Sequence, residues 1–262
     1  SKMTHDQVKD LFYEKGVVYP LSATTFAPRA INNIPIWRAR KNIDENTEDI
    51  TDPRTYSYPP LRHCKENGRA NIKGCSVFYC GHVYKTAFVE VKPIAGDIVY
   101  LSEWTSSCNR NVNLTCFLPT MLPKENHWSP VAMYHWKEIR KTCADLGGNK
   151  MQQLEMVTNF VSDAFVSEQS PYMLTSWLAN ESLFGSRPVD MLVYPSIERQ
   201  LLSCNMVFKP AYVDNYLRIK NVRKMRIIGA GTNTFELEYL AIGEHQDGRI
   251  KWRQVREEDD LQ

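Results

Sequence analysis

The sequence predicts an α+β fold in which a β-sheet core is interrupted by a helical insertion. Short runs rich in β-branched and aromatic residues, typical of strands, occur before the middle of the chain and return towards its end. Between them, apolar residues recur at helical spacings. The order of strands, helices and strands is typical of an α+β domain. At 262 residues the chain is near the upper size of one domain, so we expect one compact unit with appendages.

The first part of the chain predicts an N-terminal arm or cap. One short helical pattern, residues 6–15, precedes a stretch punctuated by prolines. We therefore place the arm at residues 1–35 and the main domain at residues 36–262. Within the main domain, residues 43–60 are polar and end in two prolines, which predicts a loop.

Three short elements are predicted after this loop. The run CSVFYC, residues 75–80, has the composition of a strand, and KTAFVEV, residues 85–91, suits a short helix. The run DIVYLSEW, residues 97–104, alternates like a strand that enters the core. We expect these elements to begin the sheet.

The helical insertion is predicted at about residues 120–185. It contains three helical stretches, which are residues 131–146, 151–166 and 172–184. Gly147 and Gly148 supply a stop for the first of them. Strand character returns in DMLVYPS and NMVFKP, and the end of the chain predicts antiparallel strands in MRIIGAG, FELEYLAIG and IKWRQV, with QDG as one turn.

Composition and charge exclude several classes of function. The net charge is +2 and both signs are scattered, which argues against a nucleic-acid or membrane partner. No apolar run approaches the roughly 18 to 20 residues of a membrane span. The seven cysteines include no CxxC pair and are odd in number, so we expect free thiols in a reducing cytoplasm and no bound metal.

Common catalytic motifs are absent from the sequence. There is no GxSxG, no Walker loop and no GxGxxG, and GAGTNT from Gly229 lies between two predicted strands, which favours a turn. What remains is a set of polar residues beside short strands: Arg38, Arg69, Tyr79, Glu90 and Ser196. Each one alone has a structural explanation as a surface arginine, a core tyrosine, a helix-face carboxylate or the last residue of a strand.

The order of these residues and their neighbours resembles the RES domain family. The first matching motifs are WR at residues 37–38, PP at 59–60, and GRAN at 68–71 with a glycine three residues further on. They are followed by VFY at residues 77–79 and TAxxEVKP at 86–93. The last two are DMLVYPS at residues 190–196 and NMVFKP at 205–210. The resemblance covers about residues 36–210. It is strong over residues 59–93 and 190–210 and weak between them.

This resemblance implies an ADP-ribosyltransferase-like mixed β-sheet and an activity that consumes NAD. Many members are toxins held in check by an antitoxin with a helix-turn-helix region. The family's site residues map onto Arg38 or Arg40, then Arg69, Tyr79, Glu90, Ser196 and Asn205. The long separation of Glu90 from Ser196 leaves open whether an antitoxin is the partner. It also leaves open whether the inserted helices are a lid, a homo-oligomer interface or a regulator.

The chemistry of the residues agrees with NAD as the substrate. Guanidinium groups donate paired hydrogen bonds to a diphosphate, and Gly68 is expected to let the backbone approach a phosphate. Cleavage at nicotinamide creates an oxocarbenium-like ribose, which Glu90 would stabilise without a metal. Tyr79 offers a face for nicotinamide, and Ser196 a hydroxyl for the carboxamide or the ribose. We expect all of these side chains to line one cleft.

Three functions fit these expectations. The first is an NAD glycohydrolase or phosphorylase, with water or phosphate as the acceptor. The second is an ADP-ribosyltransferase that modifies a macromolecule through the same site. The third is a non-catalytic module that binds a nucleotide or a partner, and such a module would tolerate the loss of the charged residues.

Overall fold

A single open sheet of ten strands organises the protein in a computed structural model. The structure describes residues 4–14, 24–119, 121–142, 144, 148–231, 234–256 and 259. The strands, in chain order, are β1 (Thr24–Phe26), β2 (Ile36–Lys41), β3 (Phe78–Gly81), β4 (Ile98–Ser106), β5 (Val112–Cys116), β6 (Met191–Pro195), β7 (Cys204–Phe208), β8 (Leu217–Gly231), β9 (Thr234–Gln246) and β10 (Arg249–Arg253). Their spatial order is β1-β5-β6-β7-β3-β2-β4-β8-β9-β10. All neighbours are antiparallel except β5 and β6, so the predicted combination of helices with one sheet is confirmed.

The described α-helices, in chain order, are α1 (His5–Glu14), α2 (Pro28–Asn32), α3 (Tyr84–Glu90), α4 (Ser129–Thr142), α5 (Gly148–Ser167), α6 (Met173–Phe184) and α7 (Pro210–Tyr216). Five of the seven described α-helices coincide with predicted helical stretches, and the short helices α2 and α7 were not predicted. The predicted short helix is α3, and the three predicted helices of the insertion are α4, α5 and α6. Lys15 and Gly147, which we expected to end two of these patterns, lie outside the described residues.

The helical insertion connects the only parallel pair among the described strands. Leu114 of β5 lies opposite Met191 of β6 in this pair. Parallel neighbours cannot be joined by a tight turn, because the chain must return to the starting edge. The insertion is therefore the crossover that the sheet requires, and its helices α5 and α6 pack on one face of the sheet through Phe165 and Leu178.

Strands β6 and β7 are buried on both faces, which makes them the centre of the fold. Alternate side chains enter two different cores: Val193 and Met206 belong to one, while Leu192 and Val207 pack with the helices of the insertion. This alternation follows from the strand period of two. Residues at the ends of β6 and β7 are consequently attached to strands that are packed on both faces.

The N-terminal residues contribute to the sheet as well as to its surroundings. Strand β1 forms one edge of the sheet by pairing with β5, and Ile31 of α2 is completely buried in the core. Helix α1 lies against α6, where His5 Nε2 and Ser176 Oγ are 3.0 Å apart. The boundary that we placed at residue 35 thus falls directly before β2, with β1 and α2 packed against the main domain.

Six of the seven cysteines lie among the described residues, and all six are free thiols. Cys143 lies outside the described residues. In the part of the chain that the structure describes, no helix has both the length and the apolar character needed to cross a membrane.

Candidate active site

A cleft of about 390 Å³ lies beside β3 and α3 and brings together most of the predicted site residues. Those that line it are Arg38, Arg69, Tyr79, Glu90 and Asn205. Lys92, Tyr172, Tyr194 and Glu198 line the same cleft and were not among the predicted residues. The exception is Ser196, which is fully buried and does not line the cleft.

The topology explains why residues far apart in sequence meet here. Strand β3 lies between β2 and β7, with Gly81 opposite both Trp37 and Asn205. This places Arg38, Tyr79 and Asn205 on three adjacent strands. Two residues separate the end of β3 from the start of α3, which packs on these strands, so its last residue, Glu90, returns to the cleft.

Glu90 is held by two donors that use the same carboxylate oxygen. Ser196 Oγ donates to Glu90 Oε1 over 2.6 Å, and Asn205 Nδ2 donates to it over 2.9 Å. The backbone N–H of Arg199 donates to Ser196 Oγ over 3.3 Å, which directs the serine proton towards Glu90. Within the described residues, Glu90 Oε2 accepts no hydrogen bond. The carboxylate is therefore fixed at one oxygen and offers the other to a ligand.

Ser196 has a different place from the one expected. We expected its hydroxyl to contact the carboxamide or the ribose of a ligand. Ser196 instead follows the buried strand β6, has no exposed surface, and reaches the cleft only through Glu90. Ser196 is enclosed by the end of α3, where Glu90 accepts its hydrogen bond, and by the connection to β7, where it bonds with Arg199 and Ser203. Its hydroxyl is a positioning group for Glu90.

Arg38 is bound mainly by the protein itself. Its Nε donates to Ser57 O over 3.1 Å, and its Nη1 donates to Tyr79 O over 2.8 Å. Burial, with a further contribution from the nearby Arg40, lowers the pKa of Arg38 to about 10, so it remains a cation at neutral pH. Among the described residues Nη2 has no hydrogen-bond partner, which leaves one end of the guanidinium for a ligand.

Arg40, the alternative to Arg38, has a structural role. Its Nη1 and Nη2 donate to the two carboxylate oxygens of Glu48 over 2.8 and 3.0 Å, and Nη1 also donates to Thr55 O. Arg40 does not line the cleft. The geometry therefore favours Arg38 as the first arginine of the site.

Arg69 presents a free edge to the cleft. Its Nη1 donates to Phe165 O, and its Cζ lies 4.9 Å from the centre of the Tyr172 ring. Neither Nε nor Nη2 has a hydrogen-bond partner in the described part of the chain. Because these two groups form one side of the guanidinium fork, Arg69 can donate two parallel hydrogen bonds to a phosphate.

The hydroxyl of Tyr79 forms hydrogen bonds with other protein groups, and the residue lines the cleft. The hydroxyl accepts from Ala70 N and donates to Asn71 Oδ1, both over 2.8 Å. Burial raises the pKa of Tyr79, so the hydroxyl stays protonated. Gly68 is required for this arrangement, because a Cβ there would lie 2.4 Å from Asn71 Oδ1 and 2.8 Å from the Tyr79 oxygen. The glycine makes room for side chains, whereas we expected it to make room for a phosphate.

Charge in the cleft is divided between three cations and two carboxylates. Lys92 Nζ pairs with Glu198 Oε1 at 2.9 Å, and this contact raises the pKa of Lys92. Arg38 and Arg69 have no carboxylate partner within the described residues. A ligand with two negative charges thus meets two guanidinium groups, while Glu90 is available to a developing positive charge.

The described residues include no group of three or more histidine, cysteine, aspartate or glutamate side chains placed to hold a metal. The polar groups that line the cleft are two guanidinium groups, the Lys92 ammonium, the carboxylates of Glu90 and Glu198 and the Asn205 amide, beside the tyrosine rings. Comparison with known proteins finds no family model and no curated protein that matches this chain.

Proposed function

We propose that this protein cleaves the bond between nicotinamide and ribose in NAD, as a glycohydrolase or phosphorylase of the RES type. The observation that carries the proposal is the hydrogen bonding and the position of Glu90. Ser196 and Asn205 donate hydrogen bonds to one of its oxygens, and Glu90 lines a cleft that two arginines also line. The cleft volume, about 390 Å³, lies within the roughly 300 to 1,000 Å³ of small-molecule sites.

In this proposal the two arginines bind the diphosphate unequally. Arg69 donates two hydrogen bonds from Nε and Nη2 to one phosphate. Arg38 donates from Nη2 alone, because Ser57 O and Tyr79 O already accept from its other nitrogens. Arg69 is therefore the main phosphate ligand, and Arg38 both contacts the ligand and joins β2 to β3.

The reaction follows from the position of Glu90. As the bond from ribose C1′ to the nicotinamide nitrogen breaks, its electron pair moves to the ring nitrogen and neutralises the pyridinium charge. Positive charge then develops on the ribose, and Glu90 Oε2 stabilises it electrostatically. Water attacks C1′ and loses a proton to give ADP-ribose, whereas phosphate gives the 1-phosphate of ADP-ribose.

Product analysis tests the proposal and separates the alternatives. The purified protein is incubated with NAD, with and without inorganic phosphate, and the products are separated by chromatography. We expect nicotinamide together with ADP-ribose, or with its 1-phosphate when phosphate is the acceptor. Release of nicotinamide only in the presence of a macromolecule would indicate an ADP-ribosyltransferase. If nicotinamide is released under none of these conditions, the catalytic proposal fails and a binding module is the remaining function.

A further inference from the structure

The helical insertion reaches the cleft at the turn between α5 and α6. Phe165, near the end of α5, accepts a hydrogen bond from Arg69 through its carbonyl oxygen. Tyr172, directly before α6, stacks on the same guanidinium. Asn67 Nδ2 donates to Pro171 O over 3.0 Å. Two residues of the segment 67–69 are thus attached to the insertion, and one of them is the candidate phosphate ligand.

Local contacts fix the position of Tyr172. Its φ is 52°, a left-handed value that is uncommon outside glycine, and its N–H donates to Gln169 O over 3.1 Å. The carboxylate of Glu168 accepts from the backbone N–H groups of Leu174 and Thr175 over 2.9 and 2.8 Å. These bonds satisfy two N–H groups of the first turn of α6 and link that turn to the residue that follows α5. The ring of Tyr172 is therefore placed by the turn that carries it.

The contact has a defined consequence for Arg69. The Tyr172 ring covers one face of the guanidinium, and the bond to Phe165 O fixes its rotation, so the edge with Nε and Nη2 has one orientation. A paired bond to phosphate depends on such a fixed plane. Without the ring, the long arginine side chain would regain rotamer freedom that binding must remove.

We propose that Tyr172 is a positioning residue that acts through Arg69 on the diphosphate of the ligand, so that the insertion completes the phosphate side of the site. This inference rests on the proposed function, because it takes the ligand to be a nucleotide with a diphosphate. It assigns a preference to the cleft: ADP, ADP-ribose and NAD depend on Tyr172, whereas nicotinamide riboside, which has no phosphate, does not.

The test begins with Tyr172→Leu and calorimetric binding of ADP. We expect the Kd for ADP to rise about five- to tenfold, in line with a partly desolvated cation–π contact. The KM for NAD rises by a similar factor, while kcat stays within about twofold, because Tyr172 acts on binding. Tyr172→Phe restores both constants, since it keeps the ring. Tyr134→Leu is the matched control, because Tyr134 is an exposed tyrosine of α4, outside the cleft, and we expect no change.

A double-mutant cycle shows whether the effect passes through Arg69. In the Arg69→Ala protein, Tyr172→Leu is expected to produce no further loss of ADP binding. An equal loss in both backgrounds would mean that Tyr172 contacts the ligand directly and would overturn the inference. If Tyr172→Leu does not fold, Tyr172→Met, which retains much of the volume without the ring, takes its place.

Wild-type behaviour separates this inference from the proposed function. Wild type that binds ADP but releases no nicotinamide from NAD refutes the cleavage reaction, and the effect of Tyr172 on ADP binding still supports the inference. Wild type that cleaves NAD while Tyr172→Leu binds ADP equally well refutes the inference alone. Wild type that binds neither ADP nor NAD refutes both.

Discussion

At the scale of single residues, the hydrogen bonds around Glu90 assign different roles to the members of the site. Glu90 lines the cleft, and Ser196 and Asn205 each donate a hydrogen bond to the same one of its oxygens. Glu90, Asn205 and both arginines line one cleft, as the motifs led us to expect: Arg38 lies on β2, Asn205 on β7, Glu90 at the end of α3 and Arg69 in a turn. The motifs also led us to expect Ser196 in the cleft, which is wrong. Whether a residue beside a strand is buried depends on the elements that cover it, and a local motif does not show them.

The role of Ser196 leads to a prediction about rates. Ser196→Ala removes a hydrogen bond to a charged carboxylate, which contributes roughly 1.5 to 3 kcal/mol. We expect kcat for NAD cleavage to fall by about tenfold or more, with the KM little changed. Steady-state kinetics measure both constants, and Ser167→Ala, at an exposed serine of α5, is the control. A raised KM with normal kcat would mean that the hydroxyl touches the substrate.

The two arginines are expected to differ when each is replaced by alanine. Arg69→Ala weakens NAD binding by about 2 kcal/mol, the cost of a charge-assisted contact, and removes one hydrogen bond of the fold, to Phe165 O. Arg38→Ala weakens NAD binding and lowers the free energy of unfolding by more, because two carbonyl groups, Ser57 O and Tyr79 O, lose their donor. Calorimetry and denaturant titration measure the two effects. Equal stability of the two variants would contradict this division of roles.

At the scale of elements, the start of β8 shows which signals the sequence carries. Leu217 and Ile219 are buried, while Arg218 and Lys220 between them are exposed. This alternation has the period of two that is typical of a half-buried strand. Because charged residues interrupt it, the segment contains no continuous apolar run, and only residues from 225 onwards were predicted as strand. Strand β5, with five residues, was also missed, and both of its neighbours in the sheet, β1 and β6, lie far from it along the chain.

Asp190 holds the returning end of the insertion to the sheet. Arg110 donates to its two oxygens over 2.7 and 2.8 Å, and the N–H of Asn113 donates to it over 3.1 Å. Burial opposes ionisation, but these bonds outweigh it and lower the pKa of Asp190 below its ordinary value. We expect Asp190→Asn to lower the free energy of unfolding by roughly 2 kcal/mol or more, measured by denaturant titration. The same substitution at the exposed Asp247 should cost little, and equal effects at both positions would contradict this role.

At the scale of the whole molecule, two buried histidines predict sensitivity to acid. Burial lowers the pKa of His82 and of His135 to about 4, compared with 6.5 in an unfolded chain. Trp128 Nε1 donates to His82 Nδ1 over 3.0 Å, so a proton on that nitrogen would break the bond. Between pH 6.5 and 4 the unfolded chain binds protons that the folded chain excludes, so stability falls as the pH is lowered.

The loss amounts to at most about 3 kcal/mol for each histidine at the lower end of this range. Denaturant unfolding at pH 7 and at pH 5 measures it, and we expect a lower free energy of unfolding at pH 5. His82→Asn should reduce this difference, whereas His63→Asn, at an exposed position, should not. The same difference in wild type and His82→Asn would contradict the assignment.

The fold as a whole was easier to predict than the complete site. Alternation and helical spacing are local signals, and they sufficed for α3, for the insertion and for most of the sheet. Tyr172 and Glu198 join the cleft only through tertiary packing: one comes from the insertion, and the other from the connection between β6 and β7. No local pattern marks such residues, because their neighbours in space lie far away in sequence.

The central claim is that Glu90 makes this cleft an NAD-cleaving site. Its most direct test is the rate of nicotinamide release from NAD by wild type, Glu90→Gln and Glu125→Gln, where Glu125 is an exposed glutamate outside the cleft. We predict release by wild type and Glu125→Gln at equal rates, and a loss of about a hundredfold or more in Glu90→Gln with its unfolding midpoint preserved. A Glu90→Gln rate within a few-fold of wild type, or no release by wild type, would contradict the claim.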